Sequence, residues 1–471
     1  HYDVVGLIDD DATKMRKTIH GIPVVGTTGD VGKIAKASKV EQIVIAVPSA
    51  TAIEMRHFVD CCEKTGLPYK TLPAVSELLD GKVSVTAVRK VGYEDLLRRA
   101  PVHLEPAPIG KYLADKRVMV TGGAGSIGAE LCRQIARFSP EMLILADRSE
   151  SGLYETELEL LAKFKDIKTI PVLGPIQYRY LMEKVFQEYH PQVVFHAAAY
   201  KHVPMMETQP WEAIFNNIVG SQILLDLCHL NDVERVVVVS TDKAVRPTNI
   251  MGASKRVVEL ITQIYAREYG SRCMAVRFGN VVGSAGSVLP LFQKQIERGG
   301  PVTVTHPEVT RYFMTIPEAA QLILQAGAFG KGGEIFILKM GTPVRIDDMA
   351  RDLIRMSGQK PDLDIKVKYI GLRPGEKLYE ELITEGEGIT ETEHNDIMVL
   401  YCENGLGLNE MNEYIEELVR LGEACDAESI KAALKIMVPE YIPWSSQRPE
   451  SGVQETCKLT EVEELEAREG T

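Results

Sequence analysis

Two segments of the chain carry residues whose types and spacing could do chemistry. The first is Thr121-Gly-Gly-Ala-Gly-Ser-Ile-Gly128. Glycines at 122, 125 and 128 let a backbone turn tightly, approach a pyrophosphate and pack helix on sheet, while Ser126 and Ile127 open a helix whose N-terminus favours negative charge. A strand ending in Asp147 follows about 20 residues later, the spacing of a dinucleotide fingerprint. Asp147 would accept hydrogen bonds from adenosine ribose hydroxyls and repel a 2′-phosphate, so NAD is favoured over NADP even with Arg148 beside it. The second segment is Ser240-Thr241-Asp242-Lys243, followed by Met251-Gly-Ala-Ser-Lys255. It places an acid, an amine and a hydroxyl at the end of a β-branched run, which suits proton transfer.

These residues need a scaffold, and the hydrophobic pattern supplies one. From Lys116 to about residue 340 the sequence alternates strands and helices, with strands at 117–120, 142–147, 169–173, 193–197, 235–240, 274–278 and 334–338. Such alternation predicts a parallel sheet covered on both faces. Ligands of such sheets collect outside the carboxyl ends of the strands, which is where Ser240 to Lys243 fall. Residues 1–100 read as a Rossmann-like α/β domain of their own, with runs at 4–8, 31–37, 42–47 and 52–64 and no phosphate loop. Three prolines (101, 106, 108) predict an extended linker over 101–115. Residues 341–440, with parts of 283–316, read as a smaller substrate subdomain containing helices at 346–356 and 408–421. Residues 441–471 turn polar and acidic and read as a mobile tail.

Composition excludes other classes. The 471 residues carry 53 Lys+Arg against 66 Asp+Glu, a net charge of −13, with no basic block. That argues against nucleic acid or anionic lipid as the main partner. The 8 Cys are scattered without metal-binding spacing, which reads as reduced thiols and no metal site. No stretch approaches the roughly 18 uninterrupted apolar residues of a bilayer span, so the chain as given reads as soluble.

The glycine pattern, Ser-Thr-Asp-Lys and the Met-x-x-x-Lys spacing resemble extended short-chain dehydrogenases/reductases, whose usual motif is Tyr-x-x-x-Lys. Met251 stands where that Tyr belongs, and a thioether cannot act as a phenolate base. His196-Ala-Ala-Ala-Tyr-Lys-His-Val-Pro204, Arg277-Phe-Gly-Asn280, Gly286-Ser-Val-Leu-Pro290, Thr310-Arg-Tyr-Phe-Met-Thr315 and Leu372-Arg-Pro-Gly-Glu-Lys-Leu-Tyr379 narrow the likeness. They resemble the large membrane-anchored UDP-N-acetylglucosamine 4,6-dehydratases of bacterial polysaccharide and protein-glycan biosynthesis, which carry Met at the Tyr position.

That resemblance implies a doubly wound Rossmann domain with an N-terminal Rossmann-like domain and a C-terminal substrate subdomain. It also implies transmembrane helices ahead of His1 that anchor the full-length protein to the cytoplasmic face of the inner membrane, and a homo-oligomer. It places Lys255 on the nicotinamide ribose, and Ala197, Ala198, Ala199 and Ser240 along the NAD cleft. Asn216 or Asn217 would orient the strand ends, and Lys201 and His202 would touch the hexose. Asn280 and Arg311 would meet the diphosphate, Val288 and Leu289 would lie on the substrate side, and Arg373 with Glu376 would grip phosphate and uridine ribose. The family's usual Gly-Asp-Ile is Gly174-Pro175-Ile176 here, which leaves the backbone of Ile176 for the adenine. The implied reaction dehydrates UDP-N-acetylglucosamine to its 4-keto-6-deoxy form, with Lys243 taking the C5 proton and Asp242 protonating the departing C6 hydroxyl. Thr241 would hold the C4 hydroxyl while Asp242 or a water takes its proton, and Met251 occupies the remaining catalytic position. The alternatives are a UDP-hexosamine 4-epimerase and a catalytically silent NAD-binding scaffold.

Overall fold

The computed structural model describes residues 3–72, 91–97, 105–383, 388–400 and 406–444. Residues 7–71 build two small sheets. Strand β1 (Leu7–Ile8) pairs parallel with β3 (Ile22–Gly26), β2 (Thr18–Ile19) pairs antiparallel with β3, and β4 (Ile43–Ile45) pairs parallel with β5 (Tyr69–Thr71). Helices Val31–Ala37 and Ala52–Glu63 lie where the apolar spacing puts them. The β2–β3 hairpin was not legible from alternation, because its turn is the two-residue His20-Gly21 with both φ positive and its strands are short. Met55, Val59 and Cys62 of the second helix share one apolar cluster with Leu289, Phe292 and Met349, so this unit docks on the substrate lobe.

The linker expectation needs correction. Pro106–Leu113 is a helix, with prolines in its first turn, where a missing N–H costs nothing. Its Ile109 and Leu113 are fully buried against the main core. Residues 101–104 lie outside the described residues, as do residues 445–471 of the expected tail. Tyr441, expected in that tail, is instead buried in the core.

The main sheet is built from β6 (Arg117–Thr121), β7 (Met142–Asp147), β8 (Lys168–Leu173), β9 (Val193–His196), β10 (Arg235–Val239) and β11 (Cys273–Arg277). The next four short strands lie off this sheet: β12 (Asn280–Val281), β13 (Val302–Val304), β14 (Thr310–Arg311) and β15 (Phe313–Met314). They are followed by β16 (Ile335–Leu338), β17 (Val344–Arg345), β18 (Val367–Tyr369), β19 (Ile389–Glu391) and β20 (Ile397–Leu400). The sheet order is β19-β20-β16-β11-β10-β9-β6-β7-β8, parallel from β8 to β16 and antiparallel at β20 and β19. The chain reverses direction across the sheet between β6 and β9, which opens a crevice at their carboxyl ends. Side chains alternate as a two-faced sheet requires: Val118 and Val120 enter the cluster holding Leu131 and Ile135, while Met119 enters the one holding Val257 and Ile261.

Three strand pairs (β12–β15, β13–β18 and β14–β17) and helices Val288–Glu297 and Ile346–Met356 form the smaller lobe. Residues 389–400 and 406–441 do not belong to it, which corrects the expected span of 341–440. β20 covers the edge of the fully buried β16, which would otherwise leave unpaired backbone groups. Helices Leu408–Glu423 and Ala427–Met437 then pack Ile415, Leu418 and Leu434 into the main core. Among the described residues one helical run, Pro210–Leu230, is long and apolar enough to cross a membrane, and most of it is buried in that same core.

Candidate functional site

The glycine turn follows β6 and opens helix Ser126–Ala136 at Gly125. Gly122 has φ +72°, and a Cβ there would lie 2.7 Å from the Ala197 carbonyl carbon and the Ala198 nitrogen, so this turn and the loop after β9 meet backbone to backbone. Gly122, Gly125, Asp147, Arg148, Pro175, Ile176, Ala197, Ala198, Ala199, Tyr200 and Asn216 line a crevice of about 210 Å³ at the sheet's reversal point. Asp147 Oδ2 accepts from Ala124 N (3.0 Å) and Oδ1 from Ser149 N (2.8 Å), so its carboxylate braces the glycine turn. The Arg148 guanidinium lies 4.5 Å from the centre of the Tyr200 ring. Ile176 is buried, its side chain packed against Gly220.

Beneath the crevice a chain of buried polar groups fixes the strand ends. Thr121 Oγ1 bonds His196 Nδ1 (2.7 Å), His196 Nε2 bonds Ser221 Oγ (2.8 Å), and Ser221 Oγ donates to the Asn217 carbonyl. With the Ser221 proton so committed, His196 donates from Nε2 and accepts at Nδ1. Burial, with the nearby Lys255 charge, lowers its pKa to about 3, which keeps it in that neutral form. Asn217 accepts from Tyr200 N (2.8 Å) and donates to the Tyr200 carbonyl and Ser254 Oγ. Its side chain thus holds the Tyr200 loop to the long helix Ile250–Tyr269.

That helix is capped by Asn249, whose Oδ1 accepts from Gly252 N (2.7 Å), and it ends at Gly270. A Cβ on Gly252 would sit 2.2 Å from the Lys243 carbonyl oxygen, so only glycine lets the turn after β10 press against the helix. Met251 is buried in the core. Lys255 is also buried, which pulls its ammonium down to about 8 against the attraction of Glu259. Glu259, fully buried, accepts from Arg277 Nε (2.7 Å) and from Ser240 Oγ (2.6 Å), and locks the end of β10 to β11.

The turn 242–244 begins at Thr241, whose Oγ1 donates to Asp242 Oδ1 (2.9 Å). Lys243 Nζ donates to the same Oδ1 (2.9 Å) and to Asn280 Oδ1 (3.1 Å), and lies 3.7 Å from Glu380 Oε1. Asp242 and Glu380 are buried, and each keeps one carboxylate oxygen (Oδ2 and Oε2) without a hydrogen-bond partner. Burial of Lys243 works against its charge. The Asp242 and Glu380 carboxylates, partly offset by Arg311, outweigh it and hold the ammonium above the ordinary lysine range.

Most of the residues expected to grip substrate make contacts within the chain. Asn280 reaches Lys243. Arg311 is buried and donates to Glu376 Oε1 (3.2 Å) and the Thr310 carbonyl (2.7 Å). Glu376 also accepts from Thr305 Oγ1 (3.0 Å) and Arg373 N (3.1 Å), so it closes its own turn while the Arg373 side chain stays exposed. The Gly375 carbonyl accepts from Thr248 Oγ1 and Asn249 Nδ2, both at 3.0 Å, which fastens this turn to the cap of the long helix. Leu289 is spent in the smaller lobe's core and Val288 packs beside it. His202 packs against Gly286, and Lys201 is exposed beside it. Sequence reasoning missed Glu380, because an acid in a polar run reads as part of a solvated face until the fold buries it.

This sheet order, with a glycine turn at the reversal point and a Lys-bearing helix behind β10, defines an extended short-chain dehydrogenase/reductase fold. The chain belongs to the polysaccharide biosynthesis protein family, whose match covers residues 118–402, and residues 1–73 match the CoA-binding domain family. It is 45% identical over 383 residues to the capsular polysaccharide biosynthesis protein CapD of Staphylococcus aureus, covering 81% of this chain and 64% of that protein. The chain thus spans less than two thirds of that relative. It is 35% identical over 277 residues to a UDP-glucose 4-epimerase of Rickettsia akari, covering 57% of this chain and 78% of the epimerase. The solved structure of Pen from Bacillus thuringiensis is similar at 32% identity and a TM-score of 0.57, covering 66% of this chain and 98% of Pen.

Proposed function

We propose that this chain is the catalytic part of an NAD-dependent UDP-N-acetylglucosamine 4,6-dehydratase serving polysaccharide or glycan biosynthesis. The observation that carries the reading is the Asp242–Lys243 pair, its carboxylate buried and its amine half-buried, joined by a 2.9 Å hydrogen bond at the carboxyl end of β10. The crevice suits the dinucleotide: its walls at Gly122 and Ala197–Ala199 are backbone and small side chains, and Asp147 offers ribose an acceptor. NAD, when bound, supplies reversible hydride transfer. Lys255 would face its nicotinamide ribose.

The chain's own residues handle the protons. In the resting structure Lys243 is held as the ammonium, so it is not ready to act as a base. Moving one proton along their shared hydrogen bond makes Lys243 a neutral base and Asp242 an acid without changing the net charge. Lys243 then takes the C5 proton of the 4-keto sugar, and Asp242 gives its proton to the departing C6 hydroxyl. The pair is again ammonium and carboxylate. Lys243 finally returns a proton to C5, which leaves the amine neutral, and the proton that the C4 hydroxyl gave up to water at the start recharges it. Thr241 holds that hydroxyl, since the buried Met251 offers no acid or base.

The epimerase reading is favoured by the Rickettsia relative. An epimerase needs no acid and base for C5 and C6, so the Asp242–Lys243 pair argues for dehydration. Turnover of UDP-N-acetylglucosamine in deuterium oxide, followed by NMR, separates the two. A 4-keto-6-deoxy product with deuterium at C5 supports dehydration, and a C4 epimer with hydrogen at C5 defeats it. Asp242→Asn and Lys243→Ala should each cut turnover by about two to four decades.

A further inference from the structure

Glu380 lies in the smaller lobe, four residues beyond Glu376, yet its carboxylate reaches the proton-transfer pair on the main sheet. Oε1 is 3.7 Å from Lys243 Nζ and 3.8 Å from Arg311 Nε, and Oε2 is buried without a partner. The side chain is 3% exposed, too buried for an idle surface acid. We infer that Glu380 is a positioning residue for Lys243, setting how the shared proton divides between Lys243 and Asp242. This inference rests on the proton roles proposed for that pair.

The charges around the amine support it. Lys243 is faced by Asp242 on its own turn, by Glu380 from the 372–381 segment, by Arg311 from β14 and by the neutral Asn280. Glu380 is faced by Lys243, by Arg311, and by Lys377, whose Nζ donates to the Val245 carbonyl at 2.9 Å. With Asp242 alone, burial would favour transfer of the proton off the Lys243 amine. The second carboxylate restrains that transfer by favouring the charged amine. It enters from the segment whose Gly375 fastens the smaller lobe to the helix cap. The readiness of the base therefore depends on how that lobe is seated.

The test compares wild type, E380Q and E380D, each as the whole chain. The titration of Lys243 is followed by NMR of lysine labelled at Cε and Nζ, assigned through Lys243→Arg. E380Q should lower the midpoint by about one pH unit or more, as expected for losing an opposite charge within about 4–6 Å. E380D keeps the charge on a shorter side chain and should shift it less. The acid limb of the pH profile for C5 deuterium incorporation should move down with the midpoint, while KM stays within twofold. An unchanged Lys243 midpoint in whichever variants fold, or a raised KM with an unmoved pH limb, overturns the inference. Should wild type fail to dehydrate UDP-N-acetylglucosamine, the functional reading fails, while the NMR arm still decides whether Glu380 governs Lys243.

Discussion

Replacing Lys255 by Met tests the burial of a charge whose cost can be worked out. Burial lowers the Lys255 pKa from the ordinary 10.5 to about 8, net of the favourable pull of Glu259. A difference of about 2.5 units corresponds to ~3 kcal/mol. Below pH 8 the amine is charged in both folded and unfolded chains, so the folded state bears the whole penalty. Between about 8 and 10.5 the unfolded chain binds more protons than the folded one, and stability rises with pH. Above 10.5 the amine is neutral in both states and the penalty is gone. Met is unbranched and fills similar space, while Glu259 keeps Arg277, Arg256 and Ser240 as partners. Lys255→Met should therefore be more stable than wild type at pH 7 and nearly equal to it near pH 10.5. At about 2–4 °C per kcal/mol for a domain of about 150–250 residues, the expected gap at pH 7 is roughly 6–12 °C in melting temperature. Thermal unfolding of nucleotide-free protein at both pH values measures it. A gap of equal size at the two pH values, or a less stable variant at pH 7, would refute the burial argument.

Three other outcomes follow from the geometry. Asp147→Ala leaves the Ala124 and Ser149 amides without their acceptor and removes the proposed ribose partner, so NAD affinity should fall at least tenfold by fluorescence titration. Unchanged affinity would move the ribose elsewhere. Arg277→Met takes two hydrogen bonds from a fully buried carboxylate and should destabilise the protein by about 3–5 kcal/mol, seen as a lower melting temperature. Gly252→Ala places a methyl group 2.2 Å from the Lys243 carbonyl, so turnover should collapse while NAD is retained. Normal turnover would show that the turn after β10 has room to move.

The local part of this protein was written in its sequence. Glycine spacing, the β-branched runs from Arg117 to Leu338 and the acid at Asp147 act through nearest neighbours along the chain, so the parallel sheet and the crevice at its reversal point were legible. So were Thr241, Asp242 and Lys243 at the end of β10, because strand ends are where such sheets gather ligands.

Other features depended on segments far apart in the chain. The short β19 and β20 carry little pattern of their own, and only the open edge of β16 decides that they pair there. The linker prolines read as extended until Ile109 and Leu113 find a core to enter. Arg311 was expected on the diphosphate and Glu376 on the uridine ribose, and the fold turned the two toward each other. Glu380 gave no signal among its charged neighbours. Its meaning comes from burial beside Lys243, 137 positions earlier in the chain. Periodicity and motif spacing specify the elements and the residues they present. Which charges meet in the interior is decided only when the elements pack, because Coulomb attraction and desolvation act through space and not along the chain.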